Sequence, residues 1–300
     1  MELVTAPVEV QRSLTLPLDE TLIMPISDVQ FGSAACDVDR FQRHVEWGVK
    51  NKVYFIGIGD YVDYASPSNR RRLRSLIAAE ELYDITENTL DDAAQDHLER
   101  FQEILKPTRG RWLGLTRGHH YWEYADGTTS DMRLAGFLGC PFLGDCAIVN
   151  VKFIDPDRLE RGHRKPPEMN IWAHHGRGNG TLQSAPLNKL ERMANFWEDV
   201  DVFLLAHHHK KVTAKLQRIR PIFLPSGKHK LVHRNIIIAG TGGFLKGYMA
   251  GSTDGKGRPS GTYVERGMMT PVALGGVVIW ARPRYEGHAM WPTVDIDVSL

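Results

Sequence analysis

The run Val53-Tyr54-Phe55-Ile56-Gly57-Ile58-Gly59-Asp60-Tyr61-Val62-Asp63 carries the fold class. Its first six residues are an apolar stretch of strand length, and Gly59 breaks it. A run with no polar alternation is buried on both faces, as in a parallel sheet covered on both sides. Asp60 then stands at the strand's C-terminal end. The same arrangement recurs outward in both directions. Leu22-Ile23-Met24-Pro25-Ile26-Ser27 ends in Asp28, and Trp112-Leu113-Gly114-Leu115 leads to Gly118-His119-His120. Ile171-Trp172 leads to Ala173-His174-His175-Gly176, and Val202-Phe203-Leu204-Leu205 to Ala206-His207-His208-His209. Five strands thus carry Asp or His at the edge where open α/β sheets bind ligands. Seven of the 13 histidines lie in these clusters.

Around these strands the chain reads as α/β, a two-sheet β-sandwich flanked by helices in four αββα layers. Asp37 is placed to cap a helix through about Lys50, since Val38, Phe41, Val45 and Val49 recur at helical spacing. Residues 70–105 read as helical in two pieces, ended by Pro107. Shorter helices are expected at 130–139 and 184–198. Residues 1–20 read as an extended lead-in, and 146–153 with 169–173 as a hairpin around the loop Asp155 to Pro167. Further strands are expected at 213–218, 235–239 and 276–281. Residues 242–269 read as a long Gly-rich surface loop. The expected organisation is one domain over 1–300, with core motifs in 21–210 and second-sheet strands in 211–300.

The bulk properties narrow the function classes. Net charge is +1 over 300 residues, so no global field dictates a nucleic-acid or acidic partner. No stretch approaches the roughly 18 apolar residues of a membrane span. The start, Met1-Glu2-Leu3-Val4, lacks a basic-then-apolar export pattern, so a cytoplasmic protein is expected. Cys36, Cys140 and Cys146 have no metal-type spacing and read as reduced thiols.

Asp and His converging at one sheet edge, with almost no Cys, suit a pair of hard or borderline divalent ions. Such a pair needs a carboxylate bridge and a ring of N and O donors. Asp28 and Asp60 supply the acids. His207 and His209, two apart, share a side if the strand end is extended. His119 and His174 complete the ring.

In this order the residues resemble the calcineurin-like metallophosphoesterase superfamily. Its five stations, D-x-H, G-D-x-x-D, G-N-H, a lone His and G-H-x-H, correspond to Asp28-Val29-Gln30, Gly59-Asp60-Tyr61-Val62-Asp63, Gly118-His119-His120, His174-His175 and Ala206-His207-His208-His209. The match spans roughly residues 20–210. The resemblance implies one metal on Asp28, Gln30, Asp60 and His209, and a second on Asp60, His119, His174 and His207, with Asp60 bridging. It implies that a metal-bound hydroxide attacks phosphorus and that His120 contacts the phosphate and protonates the leaving oxygen.

Three stations depart from the pattern, the mildest being Ala206 in place of the last station's glycine, which narrows backbone freedom before the histidines. Gln30 replaces a histidine, which tilts the first site toward Mn²⁺ or Mg²⁺, and His119 replaces an asparagine, which suits a borderline ion such as Zn²⁺ or Fe. Mn²⁺ is the expected ion. Of the pair His174-His175, His174 is assigned because it directly follows the strand run. Asp63, His175 and Lys246 are the further candidates, set behind the ligands or against substrate, and for Asp63 a turn-capping role is equally open.

From Val202 to Thr253 there are nine Lys or Arg and no acid. As a positive rim this run favours a phosphate-rich substrate; as a solvated strand face it says nothing of substrate. The functional expectation is a metal-dependent phosphoesterase, with a phosphodiester, either nucleic acid or nucleotide, preferred. The alternative is a catalytically weak or inactive binding scaffold of the same fold. Oligomeric state is not legible.

Overall fold

The computed structural model describes residues 10–79, 83–155, 165–178, 180–223, 227–254, 256–286 and 291–300. Residues 1–9, the loop 156–164 with His163, and His288 lie outside the described residues.

The first sheet contains β2 (Thr21–Ile26), β3 (Tyr54–Ile58) and β4 (Trp112–Thr116), joined in parallel. It is completed by β11 (Val278–Glu286), antiparallel to β2, and β12 (Trp291–Ser299). The second sheet contains β1 (Val10–Pro17), β5 (Cys146–Ile154), β6 (Glu168–His174), β7 (Val202–Leu205), β8 (Lys211–Phe223), β9 (His229–Gly243) and β10 (Gly275–Gly276). Within it β6, β7 and β9 run parallel.

The two sheets face each other. Ile56 and Ile58 of β3 and Ile279 of β11 meet Val149 and Val151 of β5, Ile171 of β6 and Val202 and Leu204 of β7 in one buried cluster. The alternate residues point outward. Phe55 packs under α1 (Val38–Lys50), α3 (Asp84–Leu105) and α4 (Ser130–Leu138), together with Phe41, Phe101 and Leu134. Phe203 and Leu205 pack under α5 (Ala185–Ala194) with Leu190 and Ala194. Each central strand is therefore buried on both faces, which is why its sequence is unbroken apolar. The result is the four-layer αββα architecture read from the sequence.

Asp37 caps α1 by accepting the backbone N–H of Arg40, as its position suggested. The expected helical span 70–105 is α2 (Pro67–Ala78) followed by α3.

Three expectations change. The lead-in is not merely extended: Val10–Pro17 is an edge strand parallel to β5. The second sheet is not confined to 211–300, because β1, β5, β6 and β7 already build it while β11 and β12 return to the first sheet. The Gly-rich stretch contains a helical turn at Tyr263–Arg266. β12 is a further strand that the sequence reading did not include; Val294, Ile296 and Val298 alternate with Asp295 and Asp297, a residue type depleted in strands.

Candidate metal centre

The parallel strands of both sheets end at a common edge. β2, β3 and β4 lead to Asp28, Asp60 and Gly118–His120, while β6 and β7 lead to His175 and Ala206–His209. The chain turns there in left-handed backbone. Eight described non-glycine residues have positive φ, and five of them are Asp28, Gln30, Asp60, His207 and His209. Such a conformation costs a non-glycine residue about 1–2 kcal/mol. Strain gathered on five candidate ligands marks side chains aimed against local preference. This replaces the expected geometry of the last station. His207 and His209 do not share a side through an extended strand, since β7 stops at Leu205 and both residues sit in left-handed turns.

Two glycines permit the close approach. A Cβ on Gly118 would collide with the backbone nitrogen and carboxylate of Asp60. A Cβ on Gly243 would come within 3.0 Å of both Asp28 Cβ and His209 Nδ1.

Each aspartate has one oxygen tied to backbone and one left for the site. Asp60 Oδ1 accepts the N–H of His120 at 3.0 Å and also that of His119. Its Oδ2 faces His175 Nε2 at 3.1 Å. Asp28 Oδ2 accepts the N–H of His207 at 2.9 Å. Its Oδ1 is buried without a hydrogen-bond partner among the described residues, 3.7 Å from His209 Nε2. Burial raises the Asp28 carboxyl. Burial acts the same way on Asp60, but the charge of the adjacent His175 outweighs it and holds Asp60 well below the usual range. A buried acceptor with no donor costs about 1–3 kcal/mol, a cost a bound cation removes.

The imidazole tautomers point the same way. His175 Nδ1 lies 2.8 Å from the carbonyl of Ile58, so it carries the hydrogen. Its Nε2 then faces Asp60 and makes no hydrogen bond of acceptable geometry, so a metal could take that position once Nε2 is deprotonated. His207 Nε2 donates to the carbonyl of Gly178 at 3.1 Å, which leaves its Nδ1 as an acceptor toward His119 Nδ1 at 3.3 Å. Backbone carbonyls that fix a histidine tautomer are the usual support behind a metal ligand. Burial lowers His119 to about 4 and His207 to about 3, so both are neutral donors near pH 7. For His175 burial also pulls down, but the charge of Asp60 prevails and holds it at about 9; without a cation, a proton fills that gap.

Two groups of donor atoms are close enough to hold an ion: His119, His175 and His207, and Asp28, Asp60 and His175. His174 is the correction. It was assigned to the ring, but its Nδ1 accepts the N–H of Gly176 at 2.7 Å and its ring stacks on Trp172. β6 ends at His174, whose side chain falls on the outer face, so the next residue reaches the interior edge. Direct adjacency to the strand run could not reveal that parity.

His120 stands beside the cluster, its Nε2 3.9 Å from Asp60 Oδ2 and its Nδ1 2.7 Å from Asp63 Oδ1. Burial would depress it, but the hydrogen bond to Asp63 and the charges of Asp60 and Asp63 raise it above the ordinary imidazole value. Gln30, His120, His207 and His209 line a cavity of about 260 Å³. Lys246 does not reach it; its ammonium lies 3.8 Å from Asp37.

The basic run is dispersed rather than gathered into a rim. Lys215 pairs with Asp297, Arg234 with Asp199 and Asp201, and Arg218 donates to the carbonyls of Trp197 and Glu198. Lys210 is buried and donates to the carbonyls of Gly180 and Leu182. Two contributors had no sequence signal. Asp131, buried at the start of α4, accepts the N–H of Gly118 at 2.9 Å, and burial raises it to about 6. Lys189 bridges the carbonyl of Arg177 and His208 Nε2 at 2.6 and 3.0 Å, fixing the loop that supplies Gly178.

No family model matches the sequence, and no curated protein matches it. A solved structure with some likeness is that of Vps29 from Chaetomium thermophilum, 12% identical, with 93% of this chain and 95% of that chain covered and a TM-score of 0.36. A superposition this loose bears on neither the site nor the activity.

Proposed function

We propose that the chain is a metal-dependent phosphoesterase that holds two divalent ions at this edge. Asp28, Asp60, Gln30 and His209 hold one; Asp60, His119, His175 and His207 hold the other. The observation that carries the reading is the convergence of Asp and His donor atoms at one edge. In Asp28, Asp60, His175 and His207 one side-chain atom is tied to backbone while the other turns toward the cluster, and Asp28 Oδ1 and His175 Nε2 have no hydrogen-bond partner among the described residues. Oxygen donors with one amide suit a harder ion such as Mn²⁺, and three imidazoles suit a borderline one. The order of the five stations supports phosphorus as the centre attacked.

When bound, such ions supply Lewis acidity toward a phosphoryl oxygen and lower the pKa of water. The chain's own residues do the rest. Backbone N–H groups clamp Asp60 and Asp28 so that their free oxygens cannot swing away. His120 donates Nδ1–H to Asp63; in its imidazolium form, which the charges of Asp63 and Asp60 favour, it also carries a proton on Nε2, and it faces the cavity where a leaving oxygen would sit.

The test is hydrolysis of bis(p-nitrophenyl) phosphate and p-nitrophenyl phosphate with Mn²⁺, together with metal analysis. Turnover that disappears in Asp60→Ala and His120→Ala, with two metal equivalents in the wild-type protein, is expected. Absence of turnover with every divalent ion tried overturns the reading, and absence of bound metal after loading points to a scaffold instead.

A further inference from the structure

We infer that the cavity beside Asp60 and His120 takes a small phosphoester with an apolar organic group, seated on Leu245, Val264, Met269 and Val272, and that it excludes nucleic-acid strands. The inference rests on the phosphoesterase reading for the phosphate end and on the opposite wall for the rest.

The cavity has two unlike sides. One is the Asp/His cluster; the other is Leu245, Val264, Met269 and Val272, which offer no charge to a ligand. Leu245 and Val264 are built into the fold, while Met269 stands exposed at the rim of the wall. Val264 and Leu245 share a small buried cluster with Ala35. Val264 also seats against Gly247, where a Cβ would come within 2.6 Å of its Cγ1. The segment carrying Met269 and Thr270 is fastened on two sides. Tyr248 Oη donates to the carbonyl of Met269 at 2.8 Å, and Thr270 Oγ1 donates to that of Thr181 at 3.3 Å. It bridges the loops on either side of a partly open cavity of about 260 Å³. That is just under the range of about 300–1,000 Å³ typical of small-molecule sites.

A strand binder needs an open groove of cations that tracks the phosphates, with exposed aromatic faces for the bases. Here the wall opposite the cluster carries neither. Lys210 is the one Lys or Arg among the lining residues, and its ammonium is held by two loop carbonyls. The cluster meets the charge of one phosphoryl group, and the apolar wall gains from removing an organic substituent from water.

Binding of phosphonates, which are not hydrolysed, tests this on the Mn²⁺-loaded protein by calorimetry. Phenylphosphonate should bind roughly ten times more tightly than methylphosphonate, the scale expected for a few buried carbons. Met269→Ser and Val272→Ser should each erase most of that preference and leave methylphosphonate affinity unchanged. A single-stranded oligonucleotide should not displace phenylphosphonate. Equal affinity for the two phosphonates, or displacement by the oligonucleotide, overturns the inference. The two readings fail separately. Turnover of phosphoesters with both phosphonates bound alike removes the apolar seat and leaves the activity. Tight phenylphosphonate binding without turnover of any phosphoester removes the activity and leaves the seat.

Discussion

His120 Nδ1 and a carboxylate oxygen of Asp63 lie 2.7 Å apart, which fixes the direction of the imidazole and favours its protonated form. Asp63 is the last residue of the Gly59-Asp60-Tyr61-Val62-Asp63 turn, so the strand that delivers Asp60 also delivers the group that orients His120. Asp63→Asn keeps a hydrogen-bonding side chain but removes the charge. The raised His120 pKa should fall, so the alkaline limb of the kcat profile should move to lower pH, with kcat down roughly tenfold. His120→Ala should cost about 10²–10⁴-fold, the range of a proton-transferring group. A kcat loss in Asp63→Asn without movement of the alkaline limb would reduce Asp63 to a turn residue.

The adjacent histidines of β6 separate cleanly. His175→Ala removes the nitrogen common to both donor groups. Removing a supporting residue behind a ligand typically costs 10–100-fold in metal affinity, so this change should cost at least about 100-fold. His174→Ala removes a side chain that only accepts from Gly176 and stacks on Trp172, and metal affinity should stay within about threefold. Titration of each variant with Mn²⁺ and Zn²⁺ decides between them. The reverse ranking would return the ligand to His174.

How far the sequence carried is visible in that same pair. Asp28, Asp60, His119, His207 and His209 could be brought to one edge because each follows an apolar run, and parallel strands end together. Which of His174 and His175 turns inward depends on where the pleat ends, and a single-residue slip reverses it. The left-handed turns at His207 and His209 were likewise hidden, since neither residue type marks that conformation as Gly does. The basic run left two readings open because sequence shows charge but not pairing. Lys215 and Arg234 find acids distant in the chain, at Asp297, Asp199 and Asp201.

Gly118 has no room for a side chain. Its N–H donates to Asp131, and a Cβ would strike Asp60 at backbone and carboxylate alike. Neither neighbour is the end of a flexible chain, so Gly118→Ala must push the His119-His120 turn away from Asp60. Overpacking of this kind costs about 1–3 kcal/mol. Tm should fall by several degrees, and the two N–H bonds to Asp60 Oδ1 should loosen. Hydrogen exchange at the amides of His119 and His120 should rise relative to that in β4. Unchanged exchange at both would mean that the turn tolerates the methyl group.

His44 gives a pH dependence separate from the metal centre. It sits on α1 against Phe244, its Nε2 is buried without a hydrogen-bond partner among the described residues, and Lys211 is the charge that acts on it. Burial first, and Lys211 second, lower its pKa from 6.5 to about 4. Between those values the unfolded chain binds more protons than the folded one, so acidification stabilises the unfolded state. His44 therefore has no effect on stability above about pH 6.5 and becomes destabilising as pH falls toward 4. His208, lowered to about 4 by burial, adds to the same limb. Thermal unfolding of metal-free protein should show Tm falling across this window, and His44→Met should make the fall shallower while leaving the values above pH 7 within about 2 °C of wild type, since a fitting apolar side chain there costs little. Parallel curves for the two proteins from pH 7 to pH 4 would show that His44 does not titrate with folding.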